Sequence, residues 1–160
     1  MIMKHSEKSL RVLLLAMGAL LLPAWAAVFM PTSWMVWTHR WLGLGELPEA
    51  PIVEYLARDL SLFYGIHGGL LLLVARDVRR FLPVILYLGA LGVVSGAIFF
   101  SVDFYAGMPA SWTWSEGPIV VALGLVTLYL AKRVHDAQPT DGSAATAVRG
   151  PAPRKIPEDS

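Results

Sequence analysis

The chain has 160 residues, of which 56% are hydrophobic and only 16% are charged, and its mean hydropathy is +0.56. This composition is too apolar and too poor in charge for an ordinary soluble domain, so it predicts a membrane protein. The absence of cysteine excludes disulfides, thiolate catalysis, iron–sulfur clusters and cysteine zinc sites. The net charge is only +1 and the basic residues form no single patch, so nothing indicates nucleic-acid binding.

The first apolar segment covers residues 12–30 and is long enough to cross about 30 Å of hydrocarbon as a helix. Pro23 lies within it and is expected to kink this helix rather than end it, because neighbouring helices can satisfy the freed carbonyl. The basic start and the small residues Ala24 and Ala26 also fit a signal peptide cleaved after residues 1–26. The apolar run continues to Met30, longer than a typical signal core, which favours a retained helix.

Three further segments are predicted to cross the membrane, at residues 53–75, 81–101 and 116–133. Pro51 suits the first turn of the second crossing. Ser115 is expected to be the N-cap of the fourth, with Glu116 in its first turn. Because the basic turn after the second crossing is short, the second and third helices should run antiparallel. The sequence therefore predicts an all-α integral membrane protein, with a four-transmembrane-helix antiparallel bundle over residues 1–136.

Basic residues fall unevenly on the two sides of this predicted bundle. Eleven of the thirteen Lys and Arg residues lie before the first crossing, in the turn at 76–80, or after residue 131. The opposite side has only Arg40 and Arg58, against six acidic residues. Basic loops are retained in the cytoplasm, which predicts a protein of the cytoplasmic (inner) membrane with both termini inside. Residues 137–160 lack apolar periodicity and are predicted to form a disordered cytoplasmic tail.

The tryptophans all fall on the predicted outer half of the protein. Three of them share one side of a helical wheel, so residues 33–44 are predicted to form a short interfacial helix. We expect an aromatic belt that fixes the depth of the protein in the bilayer; the alternative is a mouth for a lipid or other amphiphile. Two outer loops are expected, at 43–50 and 102–114. The belt residues are Trp25, Trp34, Trp37, Trp41, Trp112 and Trp114.

Small residues follow one face of the second crossing and one face of the third. In lipid, close approach of helices depends on such residues. Because a short turn joins the two helices, we predict that these two faces pack against each other. The pattern indicates tight packing and is only a weak sign of self-association or of contact with another membrane protein. The residues are Ser61, Gly65, Gly68 and Gly69 on the second crossing, and Gly89, Gly92 and Gly96 on the third.

A candidate polar cluster continues these faces towards the outer side. An arginine near the hydrocarbon boundary is costly unless it is paired, so we predict that Arg58 bonds Glu54, Asp103 or both. Asp59 should project about 100° away from Arg58, and Glu116 is close enough to join in some packings. The cluster is interpreted first as a structural clasp, and alternatively as a ligand or proton site.

By helical rise, His67 lies about 13 Å from Arg76, the basic residue that follows the second crossing. This distance places it close to the bilayer midplane. It is the only ionisable residue at that depth, and it serves either as a hydrogen-bonded structural imidazole or as a functional group. A haem would need a second axial ligand, but His5, His39 and His135 belong to other layers. No cofactor and no metal are therefore expected.

The sequence has no phosphate-binding loop, nucleophile elbow or His-Glu-x-x-His helix, so no catalytic motif indicates an enzyme. The leading hypothesis is a non-enzymatic accessory or lipid-binding membrane protein, with the lipid bilayer as its first partner. The alternative is a membrane enzyme or transporter that acts on an amphiphilic small molecule at the outer leaflet. In that case the acid–base or binding groups would come from Glu54, Arg58, Asp59, Asp103 and His67.

Overall fold

The computed structural model describes residues 2–137, and over that range the chain is all-helical without a strand. The predicted tail lies outside the described residues, apart from Ala137. Four segments are long and apolar enough to cross a membrane, namely His5–Val28, Pro51–Val74, Leu82–Ala106 and Ala110–Asp136. The helices are α1 (Ile2–Leu21), α2 (Ala24–Val28), α3 (Thr32–Trp41), α4 (Pro51–Val74), α5 (Leu82–Ala106) and α6 (Ala110–Asp136).

The first span is interrupted near Pro23, where a kink in a continuous helix was expected. The α-helix ends at Leu21, and α2 begins at Ala24 after a two-residue turn. Proline has no amide hydrogen and its ring clashes with the carbonyl one turn earlier, which explains the break. The amide of Leu22 still donates to the carbonyl of Gly18 at 2.9 Å, so the helical bonding ends only at the proline itself.

The connection between α5 and α6 is much shorter than the sequence suggested. An outer loop at 102–114 was expected, but α5 continues to Ala106 and α6 begins at Ala110. Gly107 ends α5 in the left-handed conformation, at a φ of 69°, which glycine adopts without steric cost. The predicted loop is therefore wrong, and only residues 107–109 connect the two helices.

The predicted start of the fourth helix is also wrong. Ser115 is not an N-cap; its hydroxyl donates to the carbonyl of Trp112 at 3.0 Å, within α6. Glu116 consequently lies in the second turn rather than the first. Pro118 is also inside this helix. Proline is tolerated inside membrane helices because other groups can satisfy the freed carbonyl.

A buried apolar core lies where α1, α4, α5 and α6 meet. The turn between α4 and α5 contributes Val78 to this core, and beside it the Arg79 guanidinium pairs with Glu7 of α1 at 2.8 Å. This end is named the basic end. The opposite end, with Glu54, Asp103 and Glu116, is named the acidic end. The core residues are Leu10, Leu14, Leu71, Val74, Ala75, Val78, Leu82, Ile85, Ala131 and Val134.

The long helices form two pairs. α1 and α2 pack on α4, α5 packs on α6, and α1 also contacts α6. The prediction that the small-residue faces of α4 and α5 pack against each other is therefore wrong. Beyond their connecting turn these two helices separate, and no substantial packing joins them in the described part of the chain. A short turn constrains only the ends that it joins, so it does not decide which faces meet further along.

The glycines of α4 approach the first span. A Cβ atom on Gly68 would lie 2.9 Å from the carbonyl oxygen of Gly18 in α1. At Gly65 the indole of Trp25 occupies the space, because a Cβ there would lie 1.3 Å from its Cδ1. Gly69 faces open space and takes no part in this packing. The close approach of α1, α2 and α4 therefore depends on two of the predicted glycines.

Ser61 does not reach a neighbouring helix through its hydroxyl. That group donates to the carbonyl of Ala57 in α4 itself, at 2.8 Å. A serine that bonds its own helix in this way can lie against lipid or protein without an unsatisfied polar group. Its inclusion in the small-residue face thus adds no hydrogen bond between helices.

The glycines of α5 pack on glycines of α6. A Cβ atom on Gly96 would lie 2.7 Å from the carbonyl oxygen of Gly117, and one on Gly124 would lie 2.8 Å from the carbonyl oxygen of Gly89. Gly92 is less crowded, since a Cβ there would lie 3.5 Å from the Cα of Gly124. Backbone therefore meets backbone at two levels of this pair, as is typical of small-residue packing in membranes.

Candidate functional site: a cleft between the two helix pairs

A cleft of about 370 Å³ separates the two helix pairs on the acidic side of the apolar core. It is closed towards the basic end by Leu14 and Leu71, which also belong to that core. Its walls come from α1, α4, α5 and α6, and most of the lining side chains are apolar. The polar side chains in the walls are Tyr64, His67, Ser95 and Thr127.

Each long helix gives one stripe of residues to the cleft. On α4 the stripe includes Leu60, Tyr64 and His67, and on α5 it includes Gly92, Ser95 and Phe99. These spacings of three and four residues keep side chains on one face of a helix. Gly89 and Gly124, one of the two glycine pairs that let α5 approach α6, also border the cleft, because a glycine has no side chain to fill it.

The acidic end of the cleft carries a group of polar side chains. Asp103 lies one turn beyond Phe99 on α5, and Glu116 lies one turn before Val120 on α6. The Tyr64 hydroxyl donates to Glu116 Oε1 at 3.5 Å, at the long limit of hydrogen bonding. The indole N–H of Trp112 donates to Glu116 Oε2 at 2.6 Å. These residues, Tyr64, Asp103, Trp112 and Glu116, are named the mouth cluster.

Asp103 is the least satisfied polar residue of the mouth cluster. The residue is only 9% exposed, and within the described residues its Oδ2 atom has no hydrogen-bond partner. The carboxylate lies within electrostatic range of the Tyr64 hydroxyl. The ion pairs found along residues 2–137 involve neither Asp103 nor Glu116. A buried carboxylate without a cation is costly in an apolar environment, which marks this end of the cleft.

Arg58 forms the predicted pair with Glu54, at 2.6 Å between Nη2 and Oε1. It does not reach Asp103, so the expected convergence of these three residues is wrong. The reason is the separation of α4 from α5. Arg58 instead donates to the carbonyl of Val28 and, at 3.0 Å, to that of Met30. The bonds from Arg58 to Glu54, Val28 and Met30 are named the Arg58 latch. Those to Val28 and Met30 satisfy carbonyls at the end of α2.

The start of α3 joins the same latch. The Thr32 hydroxyl donates to Glu54 Oε1 at 2.8 Å, which is the oxygen that also accepts from Arg58. Asp59 is half-buried and belongs neither to the latch nor to the mouth cluster. Four of the five residues of the predicted polar cluster therefore divide between two places, with Glu54 and Arg58 at one and Asp103 and Glu116 at the other.

His67 lies in the cleft wall and is half-buried. In the described part of the chain no hydrogen bond involves its imidazole ring. Of the two interpretations from the sequence, the structural one required a partner on a neighbouring helix, and no such bond is seen. A polar ring directed at an apolar cleft is available to a ligand.

The tryptophans have three different environments. Trp34, Trp37 and Trp41 on α3 are 63%, 65% and 72% exposed, and the last two stack with ring centroids 6.2 Å apart. Trp114 is exposed as well, with its ring against Phe100. Trp25 packs over Gly65 and Trp112 bonds Glu116, so these two contribute to packing and to the mouth cluster.

Several residues of this region were not predicted from the sequence. Tyr64 was overlooked although it lies one turn from His67 on the same face. Gly117 and Gly124 of α6 are spaced by two helical turns, a signal of a small-residue face that could have indicated α6 as the partner of α5. Gly18 is a single glycine in α1 and offered no pattern.

Comparisons with known proteins give no relative from which a function could be inferred. No protein-family model matches the chain, and no curated protein or solved structure matches it either. Within the described residues, no group of three or more His, Asp or Glu side chains could hold a metal ion.

Proposed function

We propose that this chain is a multi-pass membrane protein that binds an amphiphile, such as a lipid, in the cleft between its two helix pairs. The observation that carries the proposal is the cleft itself. Its volume of about 370 Å³ is in the range of small-molecule pockets, and its walls are apolar with a few polar groups. An apolar cavity at membrane depth is stable when hydrocarbon fills it, because its lining otherwise lacks contact partners.

The arrangement in the membrane belongs to the same proposal. We infer an antiparallel bundle in the cytoplasmic membrane with both termini inside, supported by eleven basic residues on one side. The acidic end, with the mouth of the cleft, then faces the outer leaflet. The exposed tryptophans of α3 support an interfacial position for that helix.

Photolabelling with a neutral amphiphile tests the binding proposal. The probe is a dodecyl chain that carries a diazirine and ends in a hydroxyl, added to the full-length protein in detergent micelles. We expect saturable labelling of peptides from α4, α5 and α6. Ser95→Phe, which places a ring inside the cleft, should abolish the saturable fraction.

Ala97→Phe is the matched control, because Ala97 is exposed on α5 and does not line the cleft. That variant should be labelled like the parent. Labelling that never saturates, or that Ser95→Phe leaves unchanged, would contradict binding in the cleft.

A second candidate function is transport or enzymatic conversion of the same amphiphile, and the unbonded ring of His67 in the cleft wall favours it. Proton transfer would require an imidazole, whereas simple binding would not. Under the binding proposal, His67→Gln should keep saturable labelling and any cellular phenotype of the parent. Retained labelling with loss of the phenotype would instead support the second candidate.

A further inference from the structure

We propose that the amphiphile bound in this cleft has a cationic ammonium head group, which the mouth cluster holds between Asp103 and Glu116. This inference rests on the proposed function and specifies the class of ligand. It follows from the position, the burial and the charge of these carboxylates, taken together with the apolar cleft beside them.

The position of the mouth cluster suits a head group. Asp103 and Glu116 continue the cleft-lining stripes of α5 and α6 by one turn each, beyond Phe99 and Val120. A hydrocarbon chain in the cleft would therefore bring its polar end to these carboxylates. Tyr64, which lines the cleft, reaches Glu116 with its hydroxyl and so connects the apolar walls to the polar mouth.

Within residues 2–137, no basic side chain pairs with a carboxylate of the mouth cluster. In the described part of the chain, the donors to Glu116 are both neutral, namely the Tyr64 hydroxyl and the Trp112 indole. The two arginines of the acidic end are already paired, Arg40 with Glu46 and Arg58 with Glu54. Asp103 Oδ2 is buried without a donor from the described chain.

An ammonium group supplies what this mouth lacks. It brings a positive charge and up to three N–H donors, which a buried carboxylate requires. A hydroxyl head group would bring a donor without the charge, and an anionic head group would be repelled by both carboxylates.

Two kinds of amphiphile share this chemistry, a single-chain alkylamine and phosphatidylethanolamine. The first arm of the experiment compares two dodecyl diazirine probes on the full-length protein at neutral pH, one ending in an amine and one in a hydroxyl. We expect half-saturation at about tenfold lower concentration for the amine, because charge-assisted hydrogen bonds are roughly twice as strong as neutral ones. The second arm measures competition against the amine probe by dodecylamine, phosphatidylethanolamine and phosphatidylglycerol.

The variant Asp103→Asn with Glu116→Gln should reduce the preference for the amine to less than about twofold. The matched control is Glu49→Gln with Asp59→Asn, which removes the same charge from acids that lie outside the mouth cluster. The control should keep the preference, which shows that surface attraction of amines is not its source. Competition by phosphatidylethanolamine would identify the diacyl lipid, and competition by dodecylamine alone would identify a single-chain amine.

Equal half-saturation by the two probes in the parent protein would overturn the head-group proposal. So would an unchanged preference in the Asp103→Asn, Glu116→Gln variant, or better competition by phosphatidylglycerol than by phosphatidylethanolamine. The proposed function would survive those results if both probes still labelled the cleft saturably and Ser95→Phe blocked them. Loss of saturable labelling by both probes would instead refute binding in the cleft.

Discussion

Both helix pairs contain glycines at their contacts, but different groups pack against those glycines. One pair is α5 with α6, and the other is α4 with the first span. Between α5 and α6, glycine faces glycine at the level of Gly96 and Gly117 and again at Gly89 and Gly124. In the other pair only Gly18 and Gly68 meet in this way. Towards the acidic end that pair relies on an indole and on the Arg58 latch.

This difference predicts which part of the molecule can move when the cleft opens. A contact between two backbones cannot be relieved by a change of rotamer, whereas an indole or a guanidinium can swing aside. We therefore expect α5 and α6 to behave as one rigid wall. The acidic half of α4, with α2, should be the adjustable wall.

The largest expected effect is that of Gly96→Ala. The new Cβ would lie 2.7 Å from the Gly117 carbonyl and 2.7 Å from the amide nitrogen of Val121, so the helices must separate. We expect the free energy of unfolding to fall by about 3 kcal/mol, as for severe overpacking. The measurement is unfolding of the detergent-solubilised protein by sodium dodecyl sulfate, followed by circular dichroism.

Gly92→Ala is the control for this substitution, because its Cβ would be at ordinary contact distance, 3.5 Å from the Cα of Gly124. It should change the free energy of unfolding by less than about 1 kcal/mol, the size of the helix-propensity difference between the two residues. Equal losses of unfolding free energy in Gly96→Ala and Gly92→Ala would show that close backbone contact at Gly96 is not the cause.

A smaller effect is expected for Gly65→Ala. The methyl group would take the place of the Trp25 indole, but that side chain can rotate outward, so we expect a loss of about 2 kcal/mol. In a Trp25→Ala background the same substitution should cost less than about 0.5 kcal/mol, which a double-mutant cycle would measure. Gly69→Ala, in open space, is the control. Additive effects of the two substitutions would refute the contact between Trp25 and Gly65.

The smallest of the three effects is expected for Arg58→Ala. It removes the pair with Glu54 and the donors to the carbonyls of Val28 and Met30, and hydrogen bonds to charged groups support a loss of about 1.5 kcal/mol. The control is Arg40→Ala, whose pair with Glu46 is exposed and should contribute less than about 0.5 kcal/mol. The melting temperatures of the two variants in detergent are the measurement. Equal shifts would show that the Arg58 latch is no more stabilising than the exposed pair of Arg40 with Glu46.

Much of the candidate site could be named from the sequence, but its geometry could not. Asp103, Glu116 and His67 were singled out because ionisable residues are rare in apolar segments. Their grouping was wrong, since Arg58 was expected beside Asp103. Helix periodicity tells which residues share a face, but it does not tell how far two helices have diverged at a given level. Trp112 is amphipathic and common near membrane surfaces, so no sequence signal separated it from the other tryptophans, and the shared face of Tyr64 and His67 did not indicate contact with Glu116.

The sequence by itself determined that the chain is helical, that four of its segments can span a membrane, and where the basic residues interrupt them. These features follow from local composition, because hydrocarbon demands an apolar stretch of fixed length whose backbone bonds itself. Only the tertiary structure decided that α4 pairs with the first span and α5 with α6, and hence that a cleft lies between them. Small residues permit a close approach to any complementary face, and only packing of the whole chain selects one.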